Sequence, residues 1–156
     1  MDMHEHKNVN SYNTLIIMAA LSFLSMYALM YAMVDRFANV IPNINQFYMA
    51  GLMTMPMIIF EVVLMRSMYI NKKLNTMIFA IGAVALVAFF LFIRQQSFVS
   101  DRQFLKSMIP HHASAILMCE NADLQDLEIR ELCASIVSSQ QQEIDWMKAK
   151  LEEFEK

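Results

Sequence analysis

The stretch LIIMAALSFLSMYALMYAMV, Leu15 to Val34, decides the fold. It passes without a formal charge, and at about 1.5 Å of helical rise per residue it covers the roughly 30 Å hydrocarbon core of a bilayer. Outward from it, Gln46 to Met65 is a second apolar stretch, holding Pro56 and one ionisable side chain, Glu61, and Thr76 to Ile93 is a third, uncharged run. The chain is therefore expected to cross a membrane three times. The first run is long for a secretory signal, and no small-x-small cleavage site follows it before Asp35 and Arg36, so it reads as an uncleaved anchor.

Composition divides the chain in the same place. Of its 156 residues 57% are apolar, against about 45–50% in a soluble domain. Residues 1–100 hold 6 Lys/Arg and 4 Asp/Glu, whereas residues 101–156 hold 6 and 11. The acidic second part repels phosphate backbones, which sets nucleic-acid binding aside. With 2 Gly and 3 Pro, neither a phosphate-cradling loop nor a turn-rich β-architecture is plausible, and 2 Cys make no disulfide scaffold. The expected organisation is an N-terminal tail over 1–13, a three-helix membrane anchor over 14–94 and an external helical hairpin over 95–156.

Arg66, Lys72 and Lys73 lie between the second and third spans, and positive charge is retained in the cytoplasm. That loop and the N-terminus should face inward, with the loop Asp35 to Asn45 and everything after Arg94 outside. The expected location is a bacterial inner membrane, with the C-terminal domain periplasmic.

Beyond Arg94 the pattern becomes amphipathic helix. Ser100 and Gln103 form a capping box, and Phe104, Leu105, Met108, His112, Ala115, Ile116 and Cys119 recur at helical spacing. Pro110 should kink this helix near His111. A turn at Asn121 to Asp123 leads to a last helix from about Leu124 to Phe154, with an apolar stripe of Ile129, Leu132, Ile136, Ile144, Met147, Leu151 and Phe154.

The candidate chemistry lies on this hairpin. Met108 precedes His111 and His112 by one turn, and Met118 and Cys119 follow those histidines by two turns. The second helix carries Cys133, Gln140 and Met147 at seven-residue spacing, with Glu143 beside them. Taken singly, such a histidine is more often a hydrogen-bonded structural residue, and Met and Cys on an apolar face usually fill space. Two strips of thioether, imidazole and thiol groups together point instead to a soft ion, Cu(I) or silver. If the helices end near Cys119 and begin near Asp126, His112 falls opposite Cys133 and Met108 near Val137. On that register Cys119 and Cys133 are out of axial step, so an intrachain bridge is not expected. Two helices cannot bury both a metal site and an apolar stripe, so two copies should pack into a four-helix bundle.

The run DRQFLKSMIPHHASAILM, followed by QQQEIDWM, resembles the domain of unknown function 305, a ferritin-like helical family, over Asp101 to Met147. The segments MYALMYAMVD, NQFYMAGLMTMPMIIFE and LMRSMYINKKLN look like the three-span anchor of its membrane-bound branch. The resemblance implies copper or silver binding and copper resistance, with Met108, His111, His112, Gln140, Glu143 and Met147 at the motif positions. Cys119 and Cys133 depart from it, standing where small residues are expected. The fold class is thus all-α: three transmembrane helices and a ferritin-like hairpin.

The expected function is a membrane-anchored, homodimeric protein that sequesters or hands on copper or silver ions, with copper efflux or chaperone proteins as partners and no catalytic turnover. An oxidoreductase is the second reading, disfavoured because Glu143 is the only carboxylate on the inner strip. A structural subunit of a membrane complex is the third. In the second span Met49, Met53, Met57, Glu61 and Met65 recur every four residues. Packing between helices accounts for them better than a metal path, with Glu61 expected to bond Tyr27 or Tyr31. Met1, Met3, His4 and His6 are a weak additional metal site.

Overall fold

The computed structural model describes the backbone of residues 3–154 and the side chains of residues 11–154. Five α-helices follow one another: α1 (Met3–Leu29), α2 (Ile44–Leu64), α3 (Lys72–Gln95), α4 (Asp101–Asn121) and α5 (Leu127–Glu153), with 3-10 turns at Met30–Met33 and Phe37–Asn39. No strand occurs among the described residues. The helices long and apolar enough to cross a membrane are Ser11–Met33, Ile44–Leu64 and Lys72–Gln95. They match the three charge-poor runs of the sequence. α1 takes in residues 3–13, expected as a tail; the side chains of Met1, Met3, His4 and His6 lie outside those described.

The chain divides into two compact units. The first, called the membrane unit because its helices are long and apolar enough to cross one, comprises the described residues up to Leu29 together with Phe47–Ser97. Small residues let its helices approach closely, since lipid supplies no hydrophobic drive between them. Gly51 lies so near the Phe89 ring that a Cβ there would stand 2.5 Å from it. Thr54 is buried and donates back to the Ala50 carbonyl at 2.7 Å, as hydroxyls in apolar helices must. Glu61 lies 3.4 Å from the Tyr69 hydroxyl rather than bonding Tyr27 or Tyr31. Tyr31 instead donates to the Ile41 carbonyl. Met49, Met53 and Met65 are exposed, facing outward from the helices.

The second unit, here the head, is α4 and α5 plus the segment Met30–Gln46. Ser100 caps α4 by accepting from the Gln103 N–H, and Asp126 caps α5 by accepting from the Ile129 N–H. The helix α4 runs on through the buried Pro110. Its face Leu105, Ile109, Ala113, Ile116 packs with Ile144 and Met147 of α5. Burying each of these large aliphatic side chains contributes about 1.5–3 kcal/mol.

The loop between the first two spans is not a bare connection. Val34 and Ile41 pack against the hairpin core, so the head has a third layer that the sequence reading did not foresee. Polar groups fasten it: the Ile44 N–H donates to Gln103 Oε1 at 3.1 Å, Asn45 Nδ2 donates to Ser107 Oγ at 3.2 Å, and Lys148 donates to the buried Asn39 side chain. The signal was present in the sequence, because a short loop holding Val34, Val40 and Ile41 beside three asparagines is composed for packing.

Candidate metal centre on the helical hairpin

His112 is 6% exposed, held between α4 and α5. One helical turn earlier the Met108 carbonyl lies 2.9 Å from its Nδ1, and Glu143 Oε2 of α5 lies 2.7 Å from its Nε2. A carbonyl can only accept, so Nδ1 carries hydrogen, and the 2.7 Å contact of Nε2 with the carboxylate is a hydrogen bond whose proton a bound ion would displace. The Glu143 carboxylate is largely exposed, so the pair joins the buried core to the surface. Fixing one ring nitrogen on a backbone carbonyl is how metal-binding histidines orient the other.

Around this pair, Met147 is buried in the hairpin core and Met108 packs against the same cluster. The His111 ring lies 6.0 Å from that of His112, centroid to centroid, but His111 itself is exposed. Imidazole, carboxylate and two thioethers thus share one stretch of the hairpin. Gln140 is half-buried, one turn before Glu143. Met118, 54% exposed, lies apart from the core.

The two cysteines correct the expected register. Cys119 and Cys133 form a disulfide with a Cα–Cα distance of 5.2 Å. The expected hairpin ended its first helix near Cys119 and put His112 opposite Cys133. In the structure α4 continues to Asn121, the connection to α5 is extended at Ala122 and Asp126, and α5 begins at Leu127. Cys133 pairs with Cys119, and Glu143, ten residues further along α5, meets His112, a displacement larger than the change in helix ends alone gives. Oxidised sulfurs in a disulfide are not thiolate ligands, so Cys119 and Cys133 leave the expected ligand set.

Among the described residues no three His, Cys, Asp or Glu side chains come together as a metal-binding group. The donors present nevertheless fit a soft ion in part. His112 Nε2 and a Glu143 oxygen already converge, and thioethers are ligands that suit Cu(I) and silver. One hairpin supplies an incomplete set of strong donors.

A further polar network ties the loop to α5. Asn39 Nδ2 donates to Asp35 Oδ1 at 2.6 Å, and Arg36 Nε donates to Asp35 Oδ2 at 2.7 Å. Burial works to raise the Asp35 carboxyl, but the hydrogen bonds from Asn39 and Arg36, with the Arg36 charge, outweigh it and hold the group below the ordinary carboxylate value. Sequence reasoning missed this network because its partners are 109 residues apart where Lys148 reaches Asn39.

Residues 93–151 match the sequence profile described as Domain of unknown function (DUF305). The chain is also 34% identical over 143 residues to an uncharacterized protein of Acanthamoeba polyphaga mimivirus, an alignment covering 89% of this chain and 91% of that one. Residues 93–151 are a DUF305 domain. The matched stretch takes in α4 and most of α5, so the DUF305 hairpin includes His112, Glu143 and the disulfide. No solved structure matches the chain.

Proposed function

We propose that this DUF305 protein is a membrane-anchored carrier or store of a soft metal ion, Cu(I) or silver, held at the hairpin. The observation that carries the reading is the buried His112 imidazole, pinned through Nδ1 and presenting Nε2 beside Glu143, with Met108 and Met147 in the adjoining core. The ion is cargo, and no turnover is part of the proposal.

The same reading needs a second copy of the chain. On α5, Ile129 and Leu132, one turn apart on the same side, are exposed, Leu132 at 59%. An apolar face of this kind is covered in an assembly, and a two-fold pairing of hairpins brings a second set of donors into one bundle. The disulfide supports an extracytoplasmic head, because such bonds persist in oxidising compartments. That side agrees with the cytoplasmic placement of Arg66, Lys72 and Lys73.

The test uses the detergent-solubilised full chain, because residues 30–46 belong to the head. Cu(I) or silver is titrated in competition with a chromogenic chelator. His112→Ala should weaken binding about 10–100-fold, the range for losing an ordered ligand or its support, while Met118→Leu leaves it unchanged. Affinity unaltered by His112→Ala in a protein that keeps its helicity and its disulfide would overturn the proposal. For the pairing, Leu132→Glu should convert dimer to monomer in light scattering of the detergent complex; a monomeric wild-type protein removes the second copy from the reading.

A further inference from the structure

A cavity of about 340 Å³ lies within the membrane unit, lined by α1, α2 and α3. Tyr12, Ala19, Ile58, Leu74, Ile78 and Gly82 are among its walls, and among the described residues the Tyr12 hydroxyl is the one polar side-chain group on it. Its volume falls at the lower end of ligand pockets, about 300–1,000 Å³. The cavity has a polar end. Tyr12 donates to Asn75 Oδ1 at 2.7 Å and lies 3.4 Å from the Asn71 carbonyl, and Asn71 is the residue that caps α3.

The basic loop sits at that same end. Lys72 and Lys73 are exposed in the first turn of α3, and Arg66 is exposed in the preceding connection. Lys73 is one helical turn before Met77, which lines the cavity, so the two share a flank of α3. Not one Asp or Glu occurs from Val62 to Ser100. The positive end of the α3 dipole adds to the attraction for an anion there. Basic pockets between membrane helices on the cytoplasmic side are where anionic lipid headgroups bind.

We propose that this cavity holds one acyl chain of an anionic phospholipid whose phosphate rests at Lys72 and Lys73. An apolar slot aligned with the spans selects a chain, and the cations at its polar end select the headgroup charge. Free phosphate satisfies only the second feature and leaves the slot unfilled. The site is independent of the metal reading, since it uses no residue of the head.

The full chain is stripped of lipid in detergent, supplied with phosphatidylglycerol, phosphatidylcholine or inorganic phosphate, and examined by native mass spectrometry. Phosphatidylglycerol should be retained at least tenfold more than phosphatidylcholine, and phosphate should not displace it. Lys72→Gln with Lys73→Gln, both exposed and outside the packed core, should lose this preference by about fivefold per lysine. Ala19→Phe, which fills the slot, should lower retention of both lipids. Equal retention of the two lipids by the wild-type protein, or an unchanged preference in the double lysine variant, would overturn the proposal, as would displacement by phosphate alone.

Discussion

Asp35 shows how one residue can hold a loop to a helix bundle. Its side chain is only 2% exposed, and it accepts from both Asn39 and Arg36. Asn39 in turn accepts from Lys148 of α5. A carboxyl held below its ordinary value contributes stability that is complete above the unfolded carboxylate range, near pH 4, and is lost as pH falls through the lowered native value. The protection factor of the amides of residues 34–41, with the intrinsic pH dependence of exchange divided out, should therefore be high at pH 6 and fall once pH drops below the ordinary carboxylate range. Asp35→Asn should show the lowered protection at pH 6 already. Identical exchange in the variant and the wild type at pH 6 would remove Asp35 from this role.

At the scale of elements, the hairpin is fixed at one end by a covalent bond and along its length by packing. The disulfide closes a loop with a sequence separation of 14 between its cysteines. Loops of that size restrict the unfolded chain by about 3 kcal/mol in the chain-entropy account. Cys119→Ser with Cys133→Ser should lower the stability of the head by about 2–3 kcal/mol, read by denaturant titration followed at Trp146. The double variant should keep the His112–Glu143 pair, because Ile109, Ile116, Ile144 and Met147 still specify the register. Its metal affinity should then match the wild type, which separates a structural role of the cysteines from a ligand role. A large loss of affinity in a folded double variant would restore the thiols as ligands.

At the scale of the molecule, the sequence reveals more of the elements than of their alignment. The three long apolar helices were legible because a bilayer leaves few alternatives to charge-poor helices of the required length. The hairpin was legible because Ser100 and its Gln103 partner mark a helix start, and the apolar spacing marks its buried face. The register was not legible. It is set by how the apolar faces of α4 and α5 pack, and against the expected pairing it replaces Cys133 by Glu143, ten residues further along α5, as the partner of His112. Of the candidate donors, Met108, His112, Glu143 and Met147 are brought to one region, His111 lies at its edge, and Met118 and the two sulfurs of the bridge lie elsewhere. Contacts such as Lys148 with Asn39 carry no local pattern at all, because neither residue's neighbours announce the other.

The clasp formed by Met30–Gln46 has a consequence for biogenesis. During synthesis this segment emerges well before α4 and α5, and its apolar side chains Val34 and Ile41 have no hairpin to settle on until the third helix has been inserted and the C-terminal residues follow. The head is therefore the last part to mature, and it packs against a segment of chain whose two ends are already joined to α1 and α2. A fragment beginning at α4 lacks that waiting template, so its failure to fold or to load an ion says nothing about the competence of the intact polypeptide.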